Sequence, residues 1–348
     1  MTLKPIFRRL SRMAGTPPKI VKPAGDLGSH WDDMLEEVLP PPLGKELVEV
    51  DVHIREGRFQ RGLSLMAGAS SILAGLEVSY EHYKGSYGQK VMWTPIALSG
   101  ALTGAGIWGF FSKWAARTVL RWTSIITLLD SVIGFGFHVR GIARKPGGWR
   151  MPVANIVMGP PIFAPLLFGV SAYLGLIASY LRPEEAPEFI DITPFPARGL
   201  RRFFFGGKKI PWTREVREGR FQKHLAVATI LSSFFSGFEA LYSHYKNNFK
   251  YKAQWSPIII APLLMLAAAL SIRSPRAART VLPIMSVAAI VDGGVGFYYH
   301  ARGVIKRPGG TKTLLYNVLY GPPIFAPLLF AACGVIGLLA CLMRRERR

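Results

Sequence analysis

The sequence is poor in cysteine and in acid. Its two cysteines, Cys333 and Cys341, lie eight positions apart on one apolar stretch, about 12 Å along a helix and too far for a bridge. No CxxCH is present, which excludes the usual c-type haem attachment, and no CxxC pair offers a structural zinc or iron–sulfur site. Acidic residues number 21 against 43 Lys and Arg, a formal charge of +22. The opening MTLKPIFRRLSRMAG is basic but continues into TPPKIVKPAGD without the apolar core of a cleaved signal, and Arg8 with Arg9 does not make a twin-arginine signal. No Walker loop, dinucleotide fingerprint or nucleophile with an oriented base is found, so soluble-type catalysis has no support.

What is present is apolar sequence: 50% of the 348 residues are hydrophobic, and the cations fall between the apolar spans. That arrangement points to anionic lipid head groups as the partner of the positive charge, not to nucleic acid.

Sliding the chain against itself by 162 residues aligns REGRFQ at 55–60 with REGRFQ at 217–222, and GPPIFAPLLF at 159–168 with the same ten residues at 321–330. No gap is needed between them, and about 49 of the 114 positions are identical. Each copy holds four apolar segments: roughly 62–83, 95–111, 119–138 and 153–181, then 224–245, 257–272, 281–300 and 315–343. The expected fold is an all-α integral membrane protein with eight transmembrane helices in two tandem four-helix repeats. Four spans per copy is an even number, so the copies should run parallel, related by an axis along the membrane normal.

The expected organisation is a basic, Pro-containing arm at 1–54, repeat one at 55–181, a linker at 182–216, repeat two at 217–343 and a basic tail at 344–348. The RGLRRFFFGGKK part of the linker has the mixture of cations and aromatics found in interfacial segments. Lys and Arg number about 30 on the side bearing the termini and about 13 on the other, which places both termini in the cytoplasm and the protein in the cytoplasmic membrane. Trp93, Trp255, Tyr83, Tyr87, Tyr245 and Tyr251 gather at the opposite boundary as an aromatic belt. The GPP element is expected to open the fourth span, with Pro165 and Pro327 bending the helix soon after.

Ionisable groups cost about 2.5–3.5 kcal/mol each in the hydrocarbon, so those kept in both copies need a reason. The first span reads GLEVSYEHYK and GFEALYSHYK, matching Glu77 with Glu239 and His82 with His244, while Glu81 is replaced by Ser243 and reads as solvated. The third span reads LDSVIGFGFHVRG and VDGGVGFYYHARG, matching Asp130 with Asp292, His138 with His300 and Arg140 with Arg302. Four of the seven histidines lie in these pairs; His30, His53 and His224 have no partner position.

Four readings of these residues stay open. Gly75, Gly134, Gly237 and Gly296 lie one or two turns below a histidine on the same face, leaving flat space for a haem b ligated by His82 with His138 and by His244 with His300, its propionates paired to Arg140 or Arg302. Alternatively Glu77, His82, Asp130 and His138, with Glu239, His244, Asp292 and His300, are the ligand types of non-haem iron, manganese, copper or zinc sites. A third reading gives the buried acids to a proton or cation pathway, and a fourth makes the protein a membrane anchor. The favoured expectation is a redox or cofactor-binding subunit that passes electrons between a quinone and a peripheral oxidoreductase subunit.

Overall fold

The computed structural model describes residues 53–54, 57–185 and 222–342. The basic arm up to residue 52, RGLRRFFFGGKK with most of the linker, and the tail at 344–348 lie outside the described residues. Among the described residues the chain is helical, without a strand. Five helices are long and apolar enough to cross a membrane: Gln60–Lys84, Lys113–Ala143, Gln222–Lys246, Lys252–Arg273 and Arg276–Ile305. A helix of 25 residues reaches about 37 Å, more than the roughly 30 Å of a bilayer's hydrocarbon core.

The first half comprises α1 (Gln60–Lys84), α2 (Thr94–Phe111), α3 (Lys113–Arg117), α4 (Val119–Ala143), α5 (Pro152–Val157) and α6 (Ala164–Ala178). The second comprises α7 (Gln222–Lys246), α8 (Ser256–Arg273), α9 (Pro275–Arg279), α10 (Val281–Ile305), α11 (Leu314–Tyr320) and α12 (Ala326–Leu342). Each helix of the second set starts 162 residues after its counterpart. Within the first half α1 packs on α2 and α6, and α4 packs on α2 and α6; α7, α8, α10 and α12 repeat that ring. The halves meet reciprocally, α6 against α7 and α12 against α1.

The interior mixes small polar residues with aliphatic ones such as Leu63 and Leu225, while many large apolar side chains face outward. Ser64, Ser71, Ser124, Thr229, Ser233 and Ser286 are fully buried, whereas Phe111 is 73% exposed and Leu315 75%. Water would drive the opposite sorting; hydrocarbon leaves large apolar side chains free to face outward and rewards small residues where helices approach. Gly106 shows the approach directly, since a Cβ there would meet the backbone of Gly68 at 2.9 Å.

Local sequence explains the turns. Ser112 and Ser274 cap the short helices α3 and α9 by accepting from Ala115 N and Ala277 N at 3.3 and 3.2 Å. Between α1 and α2, Ser86 and Tyr87 take left-handed backbone angles (φ 56° and 45°), and Asn248 and Phe249 do the same between α7 and α8. Stacking offsets the strain: the Tyr87 and Trp93 rings are 4.2 Å apart, those of Phe249 and Trp255 4.1 Å.

The fourth segment departs from expectation. It is not one helix bent at Pro165 but α5, a non-helical stretch at 158–163 and then α6; α11, a break and α12 follow the same plan. Pro160 and Pro161 lack the amides a helix needs and push their predecessors out of the helical region, so helix resumes only at Ala164, where Pro165 fits the first turn without bending it.

Residues 182–185, assigned from the sequence to the linker, are tied back to the start of α1. Arg182 N donates to Gly57 O at 3.0 Å, Arg61 N donates to Glu184 Oε1 at 2.7 Å, and Glu185 pairs with Arg61 and, at 3.2 Å, with Lys113. Gln60 Nε2 adds a bond to Leu181 O at 3.3 Å. The start of α1, the start of α3 and the segment after α6 therefore share one end of the bundle.

Candidate functional site

The matched histidines sit where helical backbone runs out. His82, in the last turn of α1, has Nδ1 2.8 Å from Met92 O in the turn before α2; His244 repeats this to Gln254 O at 2.9 Å. His138 on α4 has Nδ1 2.5 Å from Pro161 O, and His300 on α10 has Nδ1 2.6 Å from Pro323 O. A carbonyl only accepts, so Nδ1 carries the proton in all four and, in the neutral ring, Nε2 keeps its lone pair. No partner to any of these Nε2 atoms is found among the described residues. His138 lies within range of the charge of His82, and His300 within range of that of His244.

The glycines beside them are contact points. Gly134 and Gly141 face Pro165 and Pro160, at 3.2 and 3.1 Å from where a Cβ would stand, and Gly296 and Gly303 face Pro327 and Pro322 at 3.0 Å each. Gly134, His138 and Gly141 thus form one stripe of α4 that clasps the Gly-Pro-Pro break, with the imidazole meeting the Pro161 carbonyl, to which the Ala164 amide donates only at 3.4 Å. Gly75 lies against the Ser99 hydroxyl, and a Cβ on Gly237 would stand 2.5 Å from Ala261 Cβ. All four positions expected to leave room for a porphyrin are filled by neighbouring side chains, so the residues present do not fit a haem face there. Arg140 and Arg302 lie two residues beyond their histidines, exposed near the ends of α4 and α10.

The acids divide between two places. Asp130 accepts from Thr94 Oγ1 at 2.7 Å at the start of α2; Asp292 bonds Ser256 at the equivalent place and lies within range of His244. Glu77 and Glu239 instead face the boundary between the halves. Glu77 Oε1 accepts from Tyr80 Oη at 2.8 Å, and Glu239 is met by the amide of Ala164 at the start of α6. The Glu239 carboxylate lies within range of the charges of Glu77 and Glu81. Oε2 of Glu77 and Oε1 of Glu239 are shut off from solvent without a hydrogen-bond partner. Phe163, Phe234, Phe235 and Phe238 pack beside them with ring centroids 5.0–6.3 Å apart.

The arrangement therefore places His138 within electrostatic range of His82, His300 and Asp292 each within range of His244, and Glu239 within range of Glu77. Among the described residues no three of His, Cys, Asp and Glu gather as metal ligands do. Sequence reasoning missed Tyr80, which holds Glu77, and the Pro161 and Pro323 carbonyls, which hold the histidines. Tyr80 was legible, since it matches Tyr242 three residues after a matched glutamate; a carbonyl leaves no mark in sequence. No family model, curated protein or solved structure matches the chain.

Proposed function

We propose that this chain is a proton-handling polytopic membrane protein in which Glu77 and Glu239 share a proton at the boundary between its two halves. The observation that carries the reading is that these matched carboxylates lie within range of each other's charge, each with an oxygen shut off from solvent and without a hydrogen-bond partner among the described residues. Two carboxylates close together in a medium of low dielectric do not both ionise, so the pair retains a proton that can be given up and taken back. In this reading the chain has eight spans, counting α2 and the broken segments α5–α6 and α11–α12, arranged as parallel units 55–181 and 217–343 with both termini in the cytoplasm. Acids at a repeat boundary beside broken helices are the arrangement of ion-coupled transporters, an analogy of architecture.

The four carbonyl-anchored imidazoles favour a second reading, in which each histidine pair ligates a metal ion through Nε2, as a second-shell carbonyl on Nδ1 would prepare it to do. The redox subunit with a quinone and a peripheral oxidoreductase as partners is the form of that reading which needs such a centre.

Proteoliposomes with an internal pH dye and an imposed membrane potential test the first reading. Wild-type protein should acidify the lumen faster than empty vesicles, and Glu77→Gln and Glu239→Gln should return the rate to background. A wild-type rate equal to that of empty vesicles would count against it.

A further inference from the structure

Tyr80 joins the carboxylate pair to a cleft. On one side stand Tyr80, Tyr83 and Tyr87 from the end of α1 and the following turn; on the other stand Leu315 and Leu319 of α11 and Phe325 of the second break. The space is about 390 Å³, within the range of small-molecule sites. Although Lys and Arg outnumber the acids by 43 to 21, the walls are aromatic and aliphatic apart from Ser79. The carboxylate of Glu77 lies directly behind, hydrogen-bonded to the Tyr80 hydroxyl at 2.8 Å. A cation already rests on the Tyr80 ring, since Lys84 Nζ stands 4.4 Å from its centroid while pairing with Glu81 at 3.4 Å.

We propose that this cleft binds an apolar organic cation, whose body fills the space between Tyr83 and Leu315 and whose charge is met by the ring of Tyr80 and the carboxylate of Glu77. Aromatic faces attract cations, and a desolvated carboxylate supplies the counter-charge that hydrocarbon does not. Binding then displaces the shared proton: the cation enters, the Glu77 side of the pair ionises, and one proton leaves for solvent. The inference rests on the proton-sharing reading, and names the substrate class that reading leaves open.

The test uses the full chain in lipid nanodiscs with tetraphenylphosphonium as the probe and tetraphenylborate as its anionic twin. Tetraphenylphosphonium should bind saturably, one per chain, releasing about one proton to a weakly buffered indicator dye, with affinity falling toward tenfold per pH unit once the pair is protonated. Glu77→Gln should abolish the release and weaken binding more than tenfold, and Leu315→Trp should block binding by filling the cleft. Equal binding of the borate, or phosphonium binding indifferent to both substitutions, would overturn the proposal and leave an apolar cleft for lipid chains. Absence of binding, in a sample whose infrared spectrum still shows the protonated carboxyl, sinks the cation site alone; absence of that carboxyl sinks the proton pair itself.

Discussion

The imidazole of His138 reaches across from α4 to the carbonyl oxygen of Pro161, 2.5 Å away, and closes a gap that two consecutive prolines open in the fourth segment. The same bond joins His300 to Pro323 at 2.6 Å. The Ala164 amide donates to the Pro161 carbonyl only at 3.4 Å, so the imidazole supplies its short bond, which accounts for a histidine at this position whether or not Nε2 has a ligand.

Substituting His138→Ala should therefore destabilise the first half by about 0.5–1.5 kcal/mol, the net worth of one hydrogen bond. Thermal unfolding in detergent measures it. His138→Gln, which still offers a donor, should recover part of the loss; equal losses for Ala and Gln would show that the carbonyl bond is not what matters.

Gly75 and Ser99 make a second test, because the hydroxyl occupies the space a Cβ would need. Gly75→Ala should cost about 1–3 kcal/mol through overpacking, and Ser99→Gly in the same chain should restore most of it. A fully stable Gly75→Ala single variant would mean that the two helices have room to separate.

Because those glycine faces are filled, the purified protein should show no Soret band, oxidised or reduced. Elemental analysis of the same sample addresses the histidine pairs separately. Stoichiometric iron, manganese, copper or zinc that disappears in a His82→Ala, His138→Ala double variant would establish the second reading for the first half.

At the end of the bundle, partial burial pushes the Glu185 carboxyl up, but a bond from its own backbone amide, together with Lys113 and Arg61, outweighs it and holds the group below the ordinary carboxylate range. A depressed acid stabilises the fold above its unfolded value and loses that contribution as pH falls through its folded value. Glu185→Gln should thus lower stability near neutrality by at most about 1 kcal/mol, since the side chain is 39% exposed, and the difference from wild type should vanish in strong acid. A deficit unchanged at acidic pH would assign the effect to packing.

Much of this architecture was legible from residues. The 162-residue offset between Gln60 and Gln222 is the offset between helix starts, because helix bounds follow Pro95, Ser112 and the GPP element, which the copies share with Pro257, Ser274 and a second GPP. Matching between copies also singled out Glu77, His82, Asp130 and His138. What periodicity did not disclose was which of them meet. His82 and Glu77 share α1 but face different neighbours, and the boundary that sets Glu77 within range of Glu239 depends on how α6 packs on α7, a relation between halves that no single-helix pattern encodes. The glycines were read for the space they leave, whereas their neighbours, Ser99 and Pro165, fill it.

The most direct measurement is an infrared titration of the protonated-carboxyl band in wild-type protein, in Glu77→Gln, in Glu239→Gln and in the double variant. A shared proton predicts one protonated carboxyl per chain at neutral pH in wild type, none in the double variant, and a weakened band in each single variant, whose remaining carboxylate has lost its like-charged neighbour. A wild-type spectrum with no protonated carboxyl, or single variants whose bands add up independently to the wild-type band, would contradict the account.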